Sequence, residues 1–327
     1  MMVVKRQISD SSPRRTGDPS PVSLAPEPVL TGGDGPTIER PIVDMGDGAL
    51  VVDRWRLADA ILPGVLAAGR LEIDAWDDED LCVQMKTDRT PVTIADHQAE
   101  EVLHAALNKV APGILVIGEE TYGGSRRPKA GEPFFLVDPL DGTKDFIDHL
   151  PQFTVNVALI DHGRPIFGMI FAPALDLLFV TTGIGHAIMA DVACRKSLKQ
   201  LASYVPQTIN TRQSDPEKLK AFASRSHMDD VTCDILDQIG QCDRVQIGSS
   251  LKFCLIARGE GDVYVRHGPT SEWDTAAGEA ILEAAGGTVT TLDGKKLSYG
   301  GAHGAYLNPD FVAWGDPELI SQFDVDN

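Results

Sequence analysis

Two carboxylates and a glycine stand together in the run FFLVDPLDGTKDFI, which begins at Phe134. Asp138 and Asp141 come after four apolar residues that predict a short buried strand. Unpaired carboxylates are costly to bury, so we expect them to share a cation at the edge of a sheet. Gly142 permits a backbone conformation that a side chain would block, and the amides of Gly142 and Thr143 can point at an anion held by that cation. The pattern favours a metal-dependent phosphate site.

Other interpretations of this run compete with a metal site. Each residue of the stretch 138–142 favours a turn for its own reason, so ordinary turn chemistry stays open as an explanation. A calcium loop of the EF-hand type needs another spacing of acidic residues and a glutamate after the glycine, which the chain lacks. A phosphatase with an aspartyl nucleophile would need Asp-x-Asp, whereas two residues separate these aspartates.

Three more carboxylates lie beside predicted elements. Glu119 follows a predicted strand over 114–117, and the next strand along the chain ends in the same way at Asp138. Ligands commonly bind beyond the carboxyl ends of strands, so adjacent strands would bring these two side chains together. Asp96 and Asp274 each stand at the start of a predicted helix. Helix capping is the simple explanation for both, and a carboxylate directed into the site is the alternative.

The composition argues against a nucleic-acid-binding protein and a membrane protein. The 327 residues are 43% hydrophobic, which is enough for one large domain or two lobes. The formal net charge of −19 argues against non-specific nucleic-acid binding, although an anionic substrate is compatible with it when cations are bound. No apolar run approaches the length of a membrane span. The five cysteines form no CxxC pair, which speaks against structural zinc and favours the cytoplasm, a reducing compartment.

The sequence predicts a tail followed by two lobes. Residues 1–48 hold seven of the 21 prolines among polar and charged residues, and we expect them to be disordered. Helical patterns followed by consecutive strands predict a lobe over 49–200 that carries most of the acidic candidates. A second lobe over 201–327 would combine helices and strands with the last candidate, Asp274.

Three motifs, in this order, resemble those of the inositol monophosphatase superfamily. They are Gly118-Glu119-Glu120, Asp138-Pro139-Leu140-Asp141-Gly142-Thr143 and Trp273-Asp274-Thr275-Ala276-Ala277-Gly278. The resemblance implies an α/β fold with alternating α/β/α/β/α layers and a magnesium-dependent, lithium-sensitive phosphomonoesterase. Further segments resemble the CysQ-type 3′(2′),5′-bisphosphate nucleotidases of that superfamily: Ser224-Arg225-Ser226-His227, Gly248-Ser249-Ser250-Leu251-Lys252-Phe253-Cys254 and Val263-Tyr264-Val265-Arg266.

The resemblance also assigns roles to the candidate residues. Oxygen donors would hold two or three Mg²⁺ ions, namely Glu119, Asp138, Asp141, Asp274 and the backbone carbonyl of Leu140. These ions would generate the nucleophile from water, which Glu119 and a pair formed by Thr143 and Asp96 would orient. The amides of Gly142 and Thr143 would stabilise the reacting phosphate. Four residues match positions that contact a second, unreacted phosphate: His227, Ser249, Lys252 and Arg266.

The activity that the resemblance implies is hydrolysis of 3′-phosphoadenosine 5′-phosphate to AMP and phosphate, without a covalent intermediate. A phosphatase of inositol or sugar phosphates with the same metal ions is the first alternative. A catalytically silent relative that binds nucleotide or metal as a sensor is the second, and the complete set of acidic candidates argues against it. Ordinary surface charges are the simple explanation for Lys252 and Arg266, and a partly buried structural histidine is the simple explanation for His227.

Overall fold

The computed structural model describes residues 41–44, 50–78, 84–85, 91–92, 94–124, 126–195, 200–225, 229–301 and 304–322. For 84–85, 91–92 and residue 322, only the backbone is described. Most of the predicted tail over 1–48 lies outside these residues. Its described part includes β1 (Val43–Asp44), which pairs with β2 (Val51–Val52).

Two long helices and a short strand pair come next in the chain. They are α1 (Arg54–Trp76), β3 (Gln84–Met85), β4 (Pro91–Val92) and α2 (Ile94–Val110). The side chain of Asp53 caps α1 by accepting a hydrogen bond from the amide of Arg56. Among the helices of the described residues, none has the length and apolar character that crossing a membrane would require.

A seven-stranded sheet forms the first of two main sheets. Its strands are β5 (Leu115–Gly118), β6 (Phe134–Asp141), β7 (Thr154–Asp161), β8 (Arg164–Ala172), β9 (Leu177–Gly183), β10 (His186–Asp191) and β11 (Gln207–Ile209). The strands lie in chain order across the sheet; β5 and β6 are parallel, and the other pairs are antiparallel. A short helix, α3 (Thr143–Ile147), directly follows β6.

The second main sheet has five strands, in the order β13-β12-β14-β16-β15. Its strands are β12 (Leu219–Ser224), β13 (Cys242–Ile247), β14 (Val263–Arg266), β15 (Thr288–Thr291) and β16 (Phe311–Trp314). The helices of this part of the chain are α4 (Asp230–Ile239), α5 (Leu251–Ala257) and α6 (Glu272–Ala284). The first sheet ends at Ile209 and the second begins at Leu219, while the predicted lobe boundary at 200/201 stays a prediction.

Side chains alternate along the strands between separate helical layers. Phe135 and Val137 of β6 pack with α1 and α2, whereas Phe134 and Leu136 pack with α5 and α6. One face of the five-stranded sheet covers α5 and α6 from the other side, and its second face packs with α4. Because both faces of β6 are covered, its first four residues are all apolar. The predicted order of α/β/α/β/α layers is confirmed.

β6 is longer than the sequence analysis predicts. It continues through Asp138 and Pro139 to Asp141, where the predicted strand stopped at Val137. Asp138 pairs with Asn156 and Asp141 pairs with Thr154. Between these two pairs β6 advances by three residues and β7 by two. The extra residue forms a bulge, which accommodates a proline without an N–H to donate. The strands β10 and β11 occupy a stretch in which no element was predicted.

Gly168 of β8 lies very close to α6, because a Cβ there would collide with the carbonyl oxygen of Ala277. We expect Gly168→Ala to lower the free energy of unfolding by about 2–3 kcal/mol, since strand and helix must move apart. Gly123→Ala is the control, because no atom lies within 4 Å of a Cβ placed there. Urea unfolding measures both variants, and equal losses would contradict the close packing.

Candidate metal and phosphate site

Three carboxylates from separate elements meet at one place. Glu119 follows β5, Asp138 lies in β6 and Asp274 lies in the first turn of α6. One carboxylate oxygen from each lies within 4.8 Å of the others. The first two come together because β5 and β6 are parallel neighbours whose carboxyl ends share one edge. The assignment of these side chains as metal ligands stays a prediction.

Both backbone polar groups of Leu140 form hydrogen bonds with the side chains of candidate residues. Its amide donates a hydrogen bond of 3.0 Å to Oδ1 of Asp138, which is 1% exposed. Its carbonyl oxygen accepts a hydrogen bond of 3.2 Å from the hydroxyl of Thr143. The bulge of β6 therefore presents a backbone carbonyl beside the carboxylates, at the position where the sequence analysis expects a backbone ligand.

A buried polar network supports Asp141. Its Oδ2 accepts hydrogen bonds from the amide of Ser250 and, at 3.3 Å, from the side chain of Asn156. The hydroxyl of Ser250 donates to Oδ1 of Asn156 at 2.8 Å and lies 2.9 Å from the hydroxyl of Thr154. Burial raises the pKa of Asp141, and the positive charge of Lys252 opposes that shift. The carboxylate is thus fixed in orientation before any ligand binds.

The helix cap of α6 is Ser271, which corrects the simple explanation offered for Asp274. Asp274 is the third helical residue, and its Oδ2 accepts a hydrogen bond of 2.9 Å from the amide of Ser271 in a capping box. A carboxylate has two oxygens, so this bond leaves one for a cation. Burial raises the pKa of Asp274 well above its ordinary value, and the charges of Asp141 and Glu119 raise it further.

These residues fit a divalent cation that prefers oxygen ligands. The candidate donors are carboxylate and carbonyl oxygens, and such donors suit hard cations. Burial and the mutual repulsion of the carboxylates both penalise their charged forms, as the raised pKa of Asp274 indicates. A bound cation would reverse that penalty. The described residues therefore contain a cluster able to hold a metal ion.

Asp96 lies in the first turn of α2 and is buried. Burial and the nearby charge of Asp96 together raise the pKa of Glu72 of α1 well above its ordinary value. The predicted pairing of Asp96 with Thr143 stays a prediction.

Two buried cations stand on the other side of the site. Lys252 is 4% exposed, and its Nζ donates to the carbonyl oxygens of Ser249 at 2.6 Å and Ile247 at 3.3 Å. Its Nζ also lies 4.8 Å from the centre of the Tyr264 ring. Burial lowers the pKa of Lys252 to about 8. Arg266 is likewise buried, with 5% of its surface exposed. Neither Lys252 nor Arg266 is therefore an ordinary surface charge, which was the simple explanation for both.

Arg266 has spare capacity to donate hydrogen bonds. Its Nη2 donates to the carbonyl oxygen of Pro269 at 2.7 Å, whereas its buried Nε finds no partner within the described part of the chain. An unmet buried donor is costly, so an anion at this place would be stabilised. Ser249, the third candidate here, adopts a left-handed backbone with φ of 50°. His227 lies outside the described residues.

His267 follows Arg266 and lies between two carboxylates. Its Nδ1 is 2.7 Å from Oδ2 of Asp229, the cap of α4, and its Nε2 is 3.6 Å from Oδ2 of Asp310. The hydrogen bond to Asp229 raises the pKa of His267, and the charge of Asp310 raises it further against that of Arg266. Protonated His267 therefore joins the end of β14 to the starts of α4 and β16.

A model described as the inositol monophosphatase family matches residues 63–320, which include all three acidic motifs. The chain belongs to the inositol monophosphatase family. A relative from Shigella flexneri, the 3′(2′),5′-bisphosphate nucleotidase CysQ, is 41% identical over 229 residues, covering 70% of this chain and 87% of the relative. The protein of that name from Buchnera aphidicola is 36% identical over 262 residues, covering 79% of this chain and 94% of the relative.

Solved structures of this family agree with the layered fold. CysQ from Bacteroides thetaiotaomicron, described as a bacterial member of the inositol monophosphatase family, has a TM-score of 0.67 and 31% identity, covering 80% of this chain and 97% of that chain. An IMPase from Thermotoga maritima has a TM-score of 0.64 at 22% identity, which concerns the fold alone. The resemblance to the superfamily and to its CysQ type is confirmed.

A glutamate that was not predicted supports the first motif of the chain. Oε2 of Glu100 accepts a hydrogen bond of 2.8 Å from the amide of Glu120. The carboxylate of Glu100 also fills the space beside Gly118, where a Cβ would collide with it. It therefore positions the turn that carries Glu119. A signal existed, because Glu100 lies four residues after Asp96, on a helix face that is otherwise apolar.

Thr154 and Asn156, which lie behind Asp141, were also passed over. They alternate along β7 with apolar residues, and both are almost fully buried. Polar residues two apart on a buried strand share one face, so they must find partners there. That spacing was the available signal.

We expect Mg²⁺ to raise the thermal stability of this family member, because a cation that binds only the folded chain stabilises it. Asp138→Asn should lose most of that rise while keeping the fold. Asp161→Asn is the control, since it removes a carboxylate five residues along β7 from Asn156, about 16 Å away. Thermal unfolding with and without Mg²⁺ measures the effect. An undiminished rise in Asp138→Asn would contradict the cluster as a metal site.

His267→Gln should cost stability at low pH and little at high pH. The folded pKa lies above the unfolded value of 6.5, so the stabilisation is fully present below 6.5 and is lost as pH rises through the folded pKa. Melting curves of both proteins at about pH 6 and pH 9 measure the difference. An Asp229→Asn background keeps the cap of α4 but removes the charge, and it should shrink the pH dependence. A pH-independent difference would contradict the ion pair.

Proposed function

We propose that the chain is a Mg²⁺-dependent 3′(2′),5′-bisphosphate nucleotidase that converts 3′-phosphoadenosine 5′-phosphate to AMP and phosphate. Relatives with that name cover most of the chain at 36–41% identity, which supports the reaction class. One observation carries the choice of substrate, namely the two buried cations beside an acidic cluster. The charges of Asp141 and Asp274 act on the pKa of Lys252, which supports placing the acidic and cationic residues in one site.

Glu119, Asp138, Asp141, Asp274 and the carbonyl oxygen of Leu140 would hold two or three Mg²⁺ ions. Bound there, Mg²⁺ would neutralise phosphate charge and lower the pKa of a water molecule. The carboxylates contribute by keeping fixed positions, since Asp141 and Asp274 are each held by backbone amides. Hydrogen bonds that fix a ligand in advance avoid reorganisation when the substrate arrives.

Residues of the first lobe would orient the water and the reacting phosphate. Glu119, and Thr143 with Asp96, would hold the attacking water and accept its proton. The water oxygen bonds to phosphorus as the bond from phosphorus to the ribose oxygen breaks, and the ribose oxygen takes up a proton. Gly142 has φ of 92°, and a Cβ there would lie 3.0 Å from the carbonyl oxygen of Gln152. This conformation would leave the amides of Gly142 and Thr143 free to face the phosphate.

The second phosphate would bind Lys252 and Arg266. A phosphate with no role in the chemistry still requires cations in a protein whose net charge is −19. The pKa of Lys252, about 8, keeps the ammonium mostly protonated at neutral pH, and a bound dianion would raise that pKa. Nε of Arg266, which has no partner among the described residues, would donate to this phosphate. Ser249 and His227 would complete this subsite.

The reaction would take place in the cytoplasm. The described cysteines, Cys194, Cys233, Cys242 and Cys254, are free thiols, which agrees with a reducing compartment.

Phosphate release from 3′-phosphoadenosine 5′-phosphate and from inositol 1-phosphate, measured in parallel with Mg²⁺, tests the proposal. We expect much faster phosphate release from the nucleotide than from the inositol ester. A chelator should abolish that activity, and lithium should inhibit it. Lys252→Ala and Arg266→Ala should each raise KM for the nucleotide about 10- to 100-fold, because each removes a charge-assisted hydrogen bond to the second phosphate.

The same two variants should change the hydrolysis of a substrate with a single phosphate much less. If the wild-type enzyme prefers the inositol ester, the proposed metal mechanism stands and the proposed substrate is wrong. Unchanged nucleotide kinetics in both variants would refute the second-phosphate subsite. No phosphate release from either substrate would favour a non-catalytic binding protein.

A further inference from the structure

Arg225 joins two turns that belong to opposite halves of the site. One guanidinium nitrogen forms an ion pair with Oδ1 of Asp145 in α3, directly after the turn that carries Gly142. The other, Nη2, donates a hydrogen bond of 2.8 Å to Oε1 of Gln152. That same Oε1 accepts a hydrogen bond of 3.0 Å from the amide of Gly248. We name Arg225, Asp145 and Gln152 the guanidinium clamp.

The turn after Gly248 supports the cationic subsite. Ser249 and Ile247 supply the carbonyl oxygens that hold the ammonium of Lys252, and the amide of Ser250 donates to Asp141. The residues 247–250 thus touch both the second-phosphate side and the acidic cluster. Whatever fixes Gly248 also fixes Lys252 relative to the metal ligands.

Tight packing, in addition to the hydrogen bonds, restricts the turn 247–250. A Cβ on Gly248 would collide with Oδ2 of Asp145 and would lie 2.8 Å from the carbonyl oxygen of Gln152. A Cβ on Gly142 would lie 3.0 Å from that same carbonyl oxygen and 3.3 Å from Cβ of Ser249. The carbonyl of Gln152 therefore lies in close contact with both turns, which cannot move closer together, so the clamp is what keeps them from moving apart.

The charges of the clamp balance one another. The Asp145 side chain is 9% exposed and that of Arg225 is 31% exposed, so an unpaired Asp145 would be a mostly buried anion close to Lys252. Such an anion would weaken the attraction of Lys252 for a phosphate. Arg225 removes that competition, and both of its terminal nitrogens already bond within the protein, to Asp145 and Gln152.

We propose that Arg225 is a positioning residue that fixes the second-phosphate subsite at a set distance from the reacting phosphate and so confers preference for bisphosphate substrates. This inference rests on the proposed function. Without the clamp, the turn 247–250 moves away from the turn at Gly142, and Lys252 no longer meets the second phosphate while the reacting phosphate is seated.

The test compares KM and kcat for 3′-phosphoadenosine 5′-phosphate with those for 3′-AMP, which lacks the second phosphate. We expect Arg225→Gln to raise KM for the bisphosphate about tenfold, with kcat falling less than about threefold and the KM for 3′-AMP unchanged. Arg225→Lys keeps the charge beside Asp145 but cannot reach both partners, so it should raise KM by an intermediate factor.

Arg212→Gln is the matched control, because Arg212 also pairs with a buried aspartate, Asp262, through a partly exposed guanidinium. That pair lies at the start of β14, and Arg266 lies at its end. We expect Arg212→Gln to lower the melting temperature without changing either KM. If Arg225→Gln fails to fold, Gln152→Leu keeps the Arg225–Asp145 ion pair, releases Gly248 and should raise the same KM.

The outcomes separate the two proposals. A wild-type enzyme without a preference for the bisphosphate over 3′-AMP refutes the proposed function before any variant is measured. A wild-type preference that survives unchanged in Arg225→Gln and Gln152→Leu, with only stability reduced as in Arg212→Gln, refutes the clamp alone. Equal increases of both KM values would also overturn it, because they would place the effect on the reacting phosphate.

Discussion

Mutual repulsion among clustered carboxylates, one buried and two half-buried, is the constraint on which the site depends. Glu119, Asp138 and Asp274 reach one place from β5, β6 and α6, and burial together with neighbouring charge raises the pKa of Asp274. Nothing in the folding of an apolar core favours such a cluster. The fold holds it by fixing Asp138 and Asp274 through backbone amides, so that the cost is met by packing elsewhere in the chain. A cation then converts the repulsion into binding energy.

The cationic half of the site follows from the same constraint. A chain with net charge −19 repels phosphates, so a substrate with two phosphates requires positive charge for each of them. The acidic cluster can supply it for one phosphate through bound metal ions. Lys252 and Arg266 supply it for the other as fixed side chains, buried where water cannot screen them. The turn 247–250 contacts both Lys252 and Asp141 and so connects the cationic half to the acidic half.

Much of this arrangement could be predicted from the sequence, because the strongest signals are local. Apolar runs that stop at acidic residues predicted β5 and β6, and parallel neighbours must share an edge, which placed Glu119 near Asp138. The bulge of β6 could not be predicted, since it arises from the register with β7. For Asp274, helix capping and a carboxylate directed into the site both stayed open, because Ser271 and Asp274 both suit the cap position and only the fold shows which backbone amide each one meets.

The glycines of the motifs illustrate why supporting residues escape sequence reasoning. Gly118 and Gly248 look like residues that leave room for a ligand, yet the space beside each is filled by a carboxylate of the chain itself, that of Glu100 and that of Asp145. Each carboxylate in turn holds the local backbone or its guanidinium partner. A glycine of this kind marks a close approach whose second member lies far away in sequence. Its meaning becomes visible only when both members are seen together, which is why the positioning residues emerge from the structure and the candidate ligands from the sequence.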